Sequence, residues 1–180
     1  MAHPWQQAYK PPIRTMTTTA AALTGKAQGL LPEIQNLNFE RLKYKLQIRE
    51  DGDKWTKEMT DLGELEYKRY LTLIKVHRHR SIVPSRIMDG FWHQHILDTK
   101  AYREDCQNVF GYFVDHFPYF GIYGEADKLD LLESFEETKK LYFERFGCAL
   151  DRFDAARCEG HACHVESACA CRVEGACKNV

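Results

Sequence analysis

No stretch of this 180-residue chain is apolar for long enough to cross a bilayer. Its first residues, Met1-Ala2-His3-Pro4-Trp5, lack the apolar core of a signal peptide. The expected compartment is therefore the cytoplasm, with no membrane partner. An excess of either charge is also missing: the formal net charge is −1, which argues against a surface built to grip nucleic acid. No phosphate loop, dinucleotide fingerprint or Ser-His-Asp arrangement is visible, so no nucleotide cofactor is expected and an enzymatic role stays open. Glycine-rich tracts are absent as well.

What is present suffices for a core. Apolar residues make up 44% of the chain and aromatic ones 12%, too much for wholesale disorder. Residues 1–30 hold three prolines, the run Thr17-Thr18-Thr19 and no steady period, and read as a flexible leader. Residues 31–148 read as one all-α domain, a small bundle of four or five helices. Residues 149–180 read as a tail.

Within the domain, Leu42, Tyr44, Leu46 and Ile48 alternate with polar residues, which is the strand period. Asn38 is nonetheless a good N-cap and the residues are good helix formers; with no partner strand nearby, the segment is read as helix. Thr56 caps a helix running to about His77, with Met59, Leu62, Tyr67, Tyr70, Leu71 and Ile74 as its inner stripe. Gly63 weakens that helix by about 1 kcal/mol relative to alanine, so packing must compensate. The basic run His77-Arg78-His79-Arg80 reads as a solvated helix end. Pro84 suits the first turn of a helix from Ser85 to Leu97, and Asp98 or Thr99 caps a continuation to Phe110, stopped by Gly111. Residues 112–121 are too aromatic for a solvent-exposed linker and should fold back over the core. A last helix, Glu125 to Phe146, carries Leu129, Leu132, Phe135, Leu141, Tyr142 and Phe146 inward and stops at Gly147.

The helix from Ser85 to Leu97 holds an unusual run, Met88-Asp89-Gly90-Phe91-Trp92-His93-Gln94-His95, in an otherwise apolar setting that should exclude ionisable groups. Asp89 and His93 are four apart and share one face. His95 lies roughly 200° around from His93 and faces elsewhere, with Thr99, Tyr102 and Cys106. A carboxylate and an imidazole are common ligands for Zn²⁺ or Fe²⁺, and His116 in the aromatic loop is the candidate third group. Asp89, His93 and His116 are thus the candidate site on the body, for a metal or for proton transfer. The alternative is a hydrogen-bonded structural pair, with Asp89 orienting a buried His93.

That run, with Tyr102, Asp105-Cys106, Phe110-Gly111 and His116-Phe117-Pro118-Tyr119, resembles the glycine-rich domain-containing protein-like family. Its members carry a hydrophobic-Asp-x-x-Trp-His-x-His-hydrophobic-Leu signature, and Asp89, Trp92, His93 and His95 match it. The resemblance spans roughly residues 35–148. Since the chain lacks the long glycine-rich regions of most eukaryotic relatives, a role tied to those regions does not transfer. The resemblance implies a fold unit more than an activity.

The tail is repetitive. Ala162-Cys163-His164-Val165-Glu166-Ser167-Ala168-Cys169 is followed by Ala170-Cys171-Arg172-Val173-Glu174-Gly175-Ala176-Cys177, a tandem repeat of eight residues. Small residues between thiols leave little to bury, so hydrophobic packing alone cannot fold this segment. Without an export signal, the cysteines point to metal or thiol chemistry rather than to disulfides. Cys163, Cys169, Cys171 and Cys177, with Cys158, His161 and His164 in reserve, are the expected ligands of a soft metal, Zn²⁺ or Cu⁺. Two other readings stay open. The tail could be the modified core of a precursor peptide behind a folded leader domain, with a modifying enzyme as partner. Or its thiols could serve redox or sulfur-transfer chemistry with an acceptor protein, in a small biosynthetic enzyme using Asp89, His93 and His116.

Overall fold

The computed structural model describes residues 28–50 and 54–150. The expectations for most of the leader and for the cysteine tail, including Cys158, His161, Cys163, His164, Cys169, Cys171 and Cys177, lie outside the described residues. Those residues form six helices and no strand: α1 Pro32–Gln35, α2 Glu40–Ile48, α3 Lys57–Val76, α4 Arg86–Leu97, α5 Thr99–Phe110 and α6 Glu125–Phe146. The all-α expectation is met, with α1 a single added turn. No helix among the described residues is long and apolar enough to cross a membrane.

The ambiguous segment is helical. Leu42 and Leu46, one turn apart, are buried, while Tyr44 and Ile48 are exposed. The N-cap is Phe39, not Asn38, although the Asn38 side chain still accepts from the Glu40 backbone N–H at 3.0 Å. Pro84 likewise sits just outside its helix. Ser85 holds the N-cap, and its backbone N–H donates to Met88 Sδ. Asp98 occupies the N-cap of α5 without a side-chain capping bond.

The long helix α3 starts as expected, with the Thr56 hydroxyl accepting from the Met59 N–H. It packs against α1, α2, α4 and α6. Gly63 permits a close approach: a Cβ there would lie 2.6 Å from the Trp55 ring and 3.0 Å from Phe91 of α4. The helix therefore trades intrinsic propensity for contact with α4. A buried network joins α3 to α6. Tyr142 donates to Glu66 Oε2 at 2.6 Å, and Arg69 donates to Glu66 Oε1 at 3.0 Å and to the Tyr142 hydroxyl. Burial, with the neighbouring Glu66, pushes the Tyr142 phenol well up, so it stays a donor.

Helices α5 and α6 end at Gly111 and Gly147, both left-handed, as the sequence predicts. The inner stripe of α6 differs in its first half. Leu129 and Leu132 are exposed, and Leu131 is buried instead. The buried positions are Leu131, Phe135, Thr138, Leu141, Tyr142 and Phe146, and with Leu141 set beside Tyr142 the stripe runs at a 4-3-4-4 spacing through a threonine. Thr138 earns its place inside by accepting from the Val83 N–H and donating to the Ser134 carbonyl.

Candidate metal centre

The loop after α5 returns to α4 because a chain of polar contacts pins it there. The indole N–H of Trp92 donates to the Tyr102 hydroxyl at 2.9 Å, and that hydroxyl donates to the Val114 carbonyl. Burial holds the Tyr102 phenol well above its ordinary range, so the donor is permanent. Val114 and Pro118 are buried, whereas Phe113 and Phe117 stay about half exposed. His116 lies between the two anchors, and its ring meets Trp92 at a centroid distance of 4.5 Å. The tryptophan thus positions both the loop and its histidine.

On α4, Asp89 and His93 lie one turn apart as expected, and His116 closes the group. His116 Nε2 is 3.0 Å from Asp89 Oδ1 and 3.0 Å from His93 Nε2, and His93 Nε2 is 3.5 Å from Asp89 Oδ2. Side-chain exposure is graded: 1% for Asp89, 11% for His116 and 30% for His93. The carboxylate is the buried member and His93 the rim, the reverse of a carboxylate orienting a buried histidine. Asp89 also sits in the first turn of α4, where the positive end of the helix dipole favours its charge.

A carboxylate and two ring nitrogens converging at these distances suit a shared cation. Each imidazole nitrogen offers either one proton or one lone pair. His116 Nε2 faces both an acceptor carboxylate and a second ring nitrogen, so one hydrogen cannot point squarely along both contacts. An ion at the centre accepts a lone pair from each group at once. Ligand atoms about 2.0–2.1 Å from zinc stand roughly 2.8–3.4 Å apart, from octahedral to tetrahedral arrangement, close to the spacings seen. Among the described residues, Asp89, His93 and His116 form a group able to hold a metal ion.

The second histidine differs. His95 is 2% exposed; its Nδ1 lies 3.0 Å from the Tyr67 hydroxyl and its Nε2 3.1 Å from Asp105 Oδ2. Burial pushes the Tyr67 phenol far up, so it remains a donor. Tyr67 donates to Nδ1, Nε2–H donates to Asp105, and both ring nitrogens are used within the protein. Sequence reasoning found the Tyr102 face of His95, whose rings meet at 4.9 Å, but missed Asp105. That partner depends on the angle between α4 and α5, which no spacing rule supplies. Cys106, on the same face, is buried, and burial raises its thiol pKa, so it is a poor thiolate ligand.

Behind His116 opens a cleft of about 320 Å³, whose walls include Tyr70, Trp92, Asp115, Phe117 and Phe120. His116 is the member of the triad that reaches it.

No curated protein and no solved structure matches the chain. A family model described as UCP032817-like matches residues 32–132, more than half of the chain and a span that contains Asp89, His93 and His116. The chain therefore belongs to the UCP032817-like family.

Proposed function

We propose that this is a metal-binding helical protein whose body holds one divalent ion through Asp89 and the Nε2 atoms of His93 and His116. The convergence of the three side chains, one ligand atom from each lying within 4.8 Å of the others, carries the reading. Two imidazoles and a carboxylate favour Zn²⁺ or Fe²⁺ over Cu⁺, which prefers softer sulfur ligands. Three protein ligands leave at least one coordination position for water or a ligand, the arrangement found in catalytic rather than structural zinc sites. Partial exposure of His93 gives that position a route to solvent. The ion would polarise a bound group or lower the pKa of a bound water.

The thiol-rich tail is proposed as a second, softer site, formed by Cys163, Cys169, Cys171 and Cys177 with Cys158, His161 and His164. The likeness to the glycine-rich domain-containing protein-like family adds a proposed common fold unit.

Metal analysis of the full chain separates the two sites. Replacing the five tail cysteines by serine is expected to leave one ion per chain. Adding His93→Ala and His116→Ala is expected to remove it with helix content unchanged. A serine-tailed chain that carries no metal, even after incubation with Zn²⁺, would overturn the body site.

A further inference from the structure

The cleft behind His116 has a chemical bias that the metal reading does not use. Its walls include the rings of Tyr70, Trp92, Phe117 and Phe120, and no lysine or arginine lines it. Its one formally charged wall residue is Asp115. Among the described residues no ion pair engages that carboxylate, and the side chain is exposed at the mouth. An anion entering here would meet Asp115 with no cation to offset it. A neutral apolar molecule would gain from the rings alone. An organic cation would gain from both, because aromatic walls attract cations and a carboxylate supplies the counter-charge.

We infer that this cleft takes an organic cation with an apolar or aromatic body, the cationic end at Asp115 and the body against Trp92, Phe117 and Phe120. The volume is at the small end of ligand sites, suited to a compact amine rather than to a large cofactor. Two of the walls are already ordered. Tyr70 and Trp92 pack as tilted rings at a centroid distance of 5.2 Å, and the Tyr70 hydroxyl donates to the Ile82 carbonyl. The cleft is therefore preformed on that side, which limits the entropy lost on binding. His116 forms part of its wall and is also a member of the metal group. That the bound cation also lies beside the metal rests on the function proposed above; its binding in the cleft does not.

The test uses the full chain with serines in place of the tail cysteines, loaded with Zn²⁺. Titration with 2-phenylethylamine, 2-phenylethanol and phenylacetate compares a cation, a neutral molecule and an anion on one ring. The amine should bind about five- to tenfold more tightly than phenylacetate, the size of a favourable charge pair at a partly shielded site. Asp115→Asn should bring the two affinities to within about twofold, and Phe117→Ala should weaken all three ligands. Both side chains are exposed, so neither substitution threatens the fold. Equal affinity for amine and carboxylate, or an amine preference that survives Asp115→Asn, would overturn the cleft assignment. Metal content measured on the same samples keeps the two readings apart. Amine selectivity in a chain that holds no ion would sustain the cleft and sink the metal centre. With Co²⁺ in place of Zn²⁺, the bound amine's NMR lines should shift; unshifted lines would overturn the link between cleft and metal.

Discussion

The Nε2 atoms of His93 and His116 lie 3.0 Å apart, one on a helix and the other on the loop that Trp92 and Tyr102 hold against it. Two ring nitrogens at that distance, both facing the buried Asp89 carboxylate, lie at the distances expected around one ion.

Metal should therefore stabilise the fold as well as occupy it. Free Zn²⁺ at a hundredfold excess over its Kd adds about 2.7 kcal/mol to the native state. For a domain of this size the unfolding midpoint should rise by roughly 5–10 °C. Differential scanning calorimetry with and without a chelator checks this. The shift should shrink in His93→Ala and vanish when His116→Ala is added, and a midpoint indifferent to chelation would count against the site.

The second histidine should behave independently. Tyr67→Phe removes the donor to His95 Nδ1 and leaves a buried acceptor unpaired, which costs about 1–3 kcal/mol. Denaturant unfolding measures the loss, and metal content measured alongside should not change. Loss of metal in Tyr67→Phe would show that the two polar faces of α4 are coupled.

Gly63→Ala sets helix propensity against packing. Alanine is better than glycine in a helix by about 1 kcal/mol, yet its methyl would meet Trp55 and Phe91, and overpacking costs about 1–3 kcal/mol. The substitution should destabilise the wild-type chain but become neutral or stabilising once Trp55→Ala opens the space. A double-mutant cycle on unfolding free energies reads the sign.

Acid should weaken the contact between α2 and α3. Burial alone would raise the Asp61 carboxyl, but hydrogen bonds from Lys57 and Lys43 more than offset it and hold the pKa below the ordinary value of 3.8. A carboxyl lowered in the folded state adds stability that is present above its unfolded pKa and is lost as pH falls through the folded one. Lys43 is held above its ordinary value by Glu40, Asp61 and Glu64 despite burial, and so stays charged throughout that window. Unfolding measured from about pH 5 down to 2 should fall less steeply in Asp61→Asn than in the parent chain. An unchanged slope would refute the assignment.

Much of this was visible in local chemistry. Thr56 marks a helix start, Gly111 and Gly147 mark stops, and the spacing of Asp89 and His93 puts both on one face. The misses share one cause, groups whose role depends on a distant partner. The stripe read from Leu129 and Leu132 left out Thr138, whose hydroxyl is satisfied by Ser134 and by Val83, and Leu131 rather than Leu129 faces inward. Asp105 entered only through the family likeness and not as a partner of His95, because only the turn at Asp98 swings α5 back to bring the two together. Trp92 stood out only as part of the signature, although its N–H begins the chain of contacts that positions His116.

The most direct test of the central claim is X-ray absorption at the zinc edge, on the full chain with Cys158, Cys163, Cys169, Cys171 and Cys177 replaced by serine. Two imidazole nitrogens and carboxylate or water oxygens about 2.0–2.2 Å from the metal are predicted, falling to a single imidazole in His93→Ala. A shell of sulfur, or one without imidazole, would contradict it.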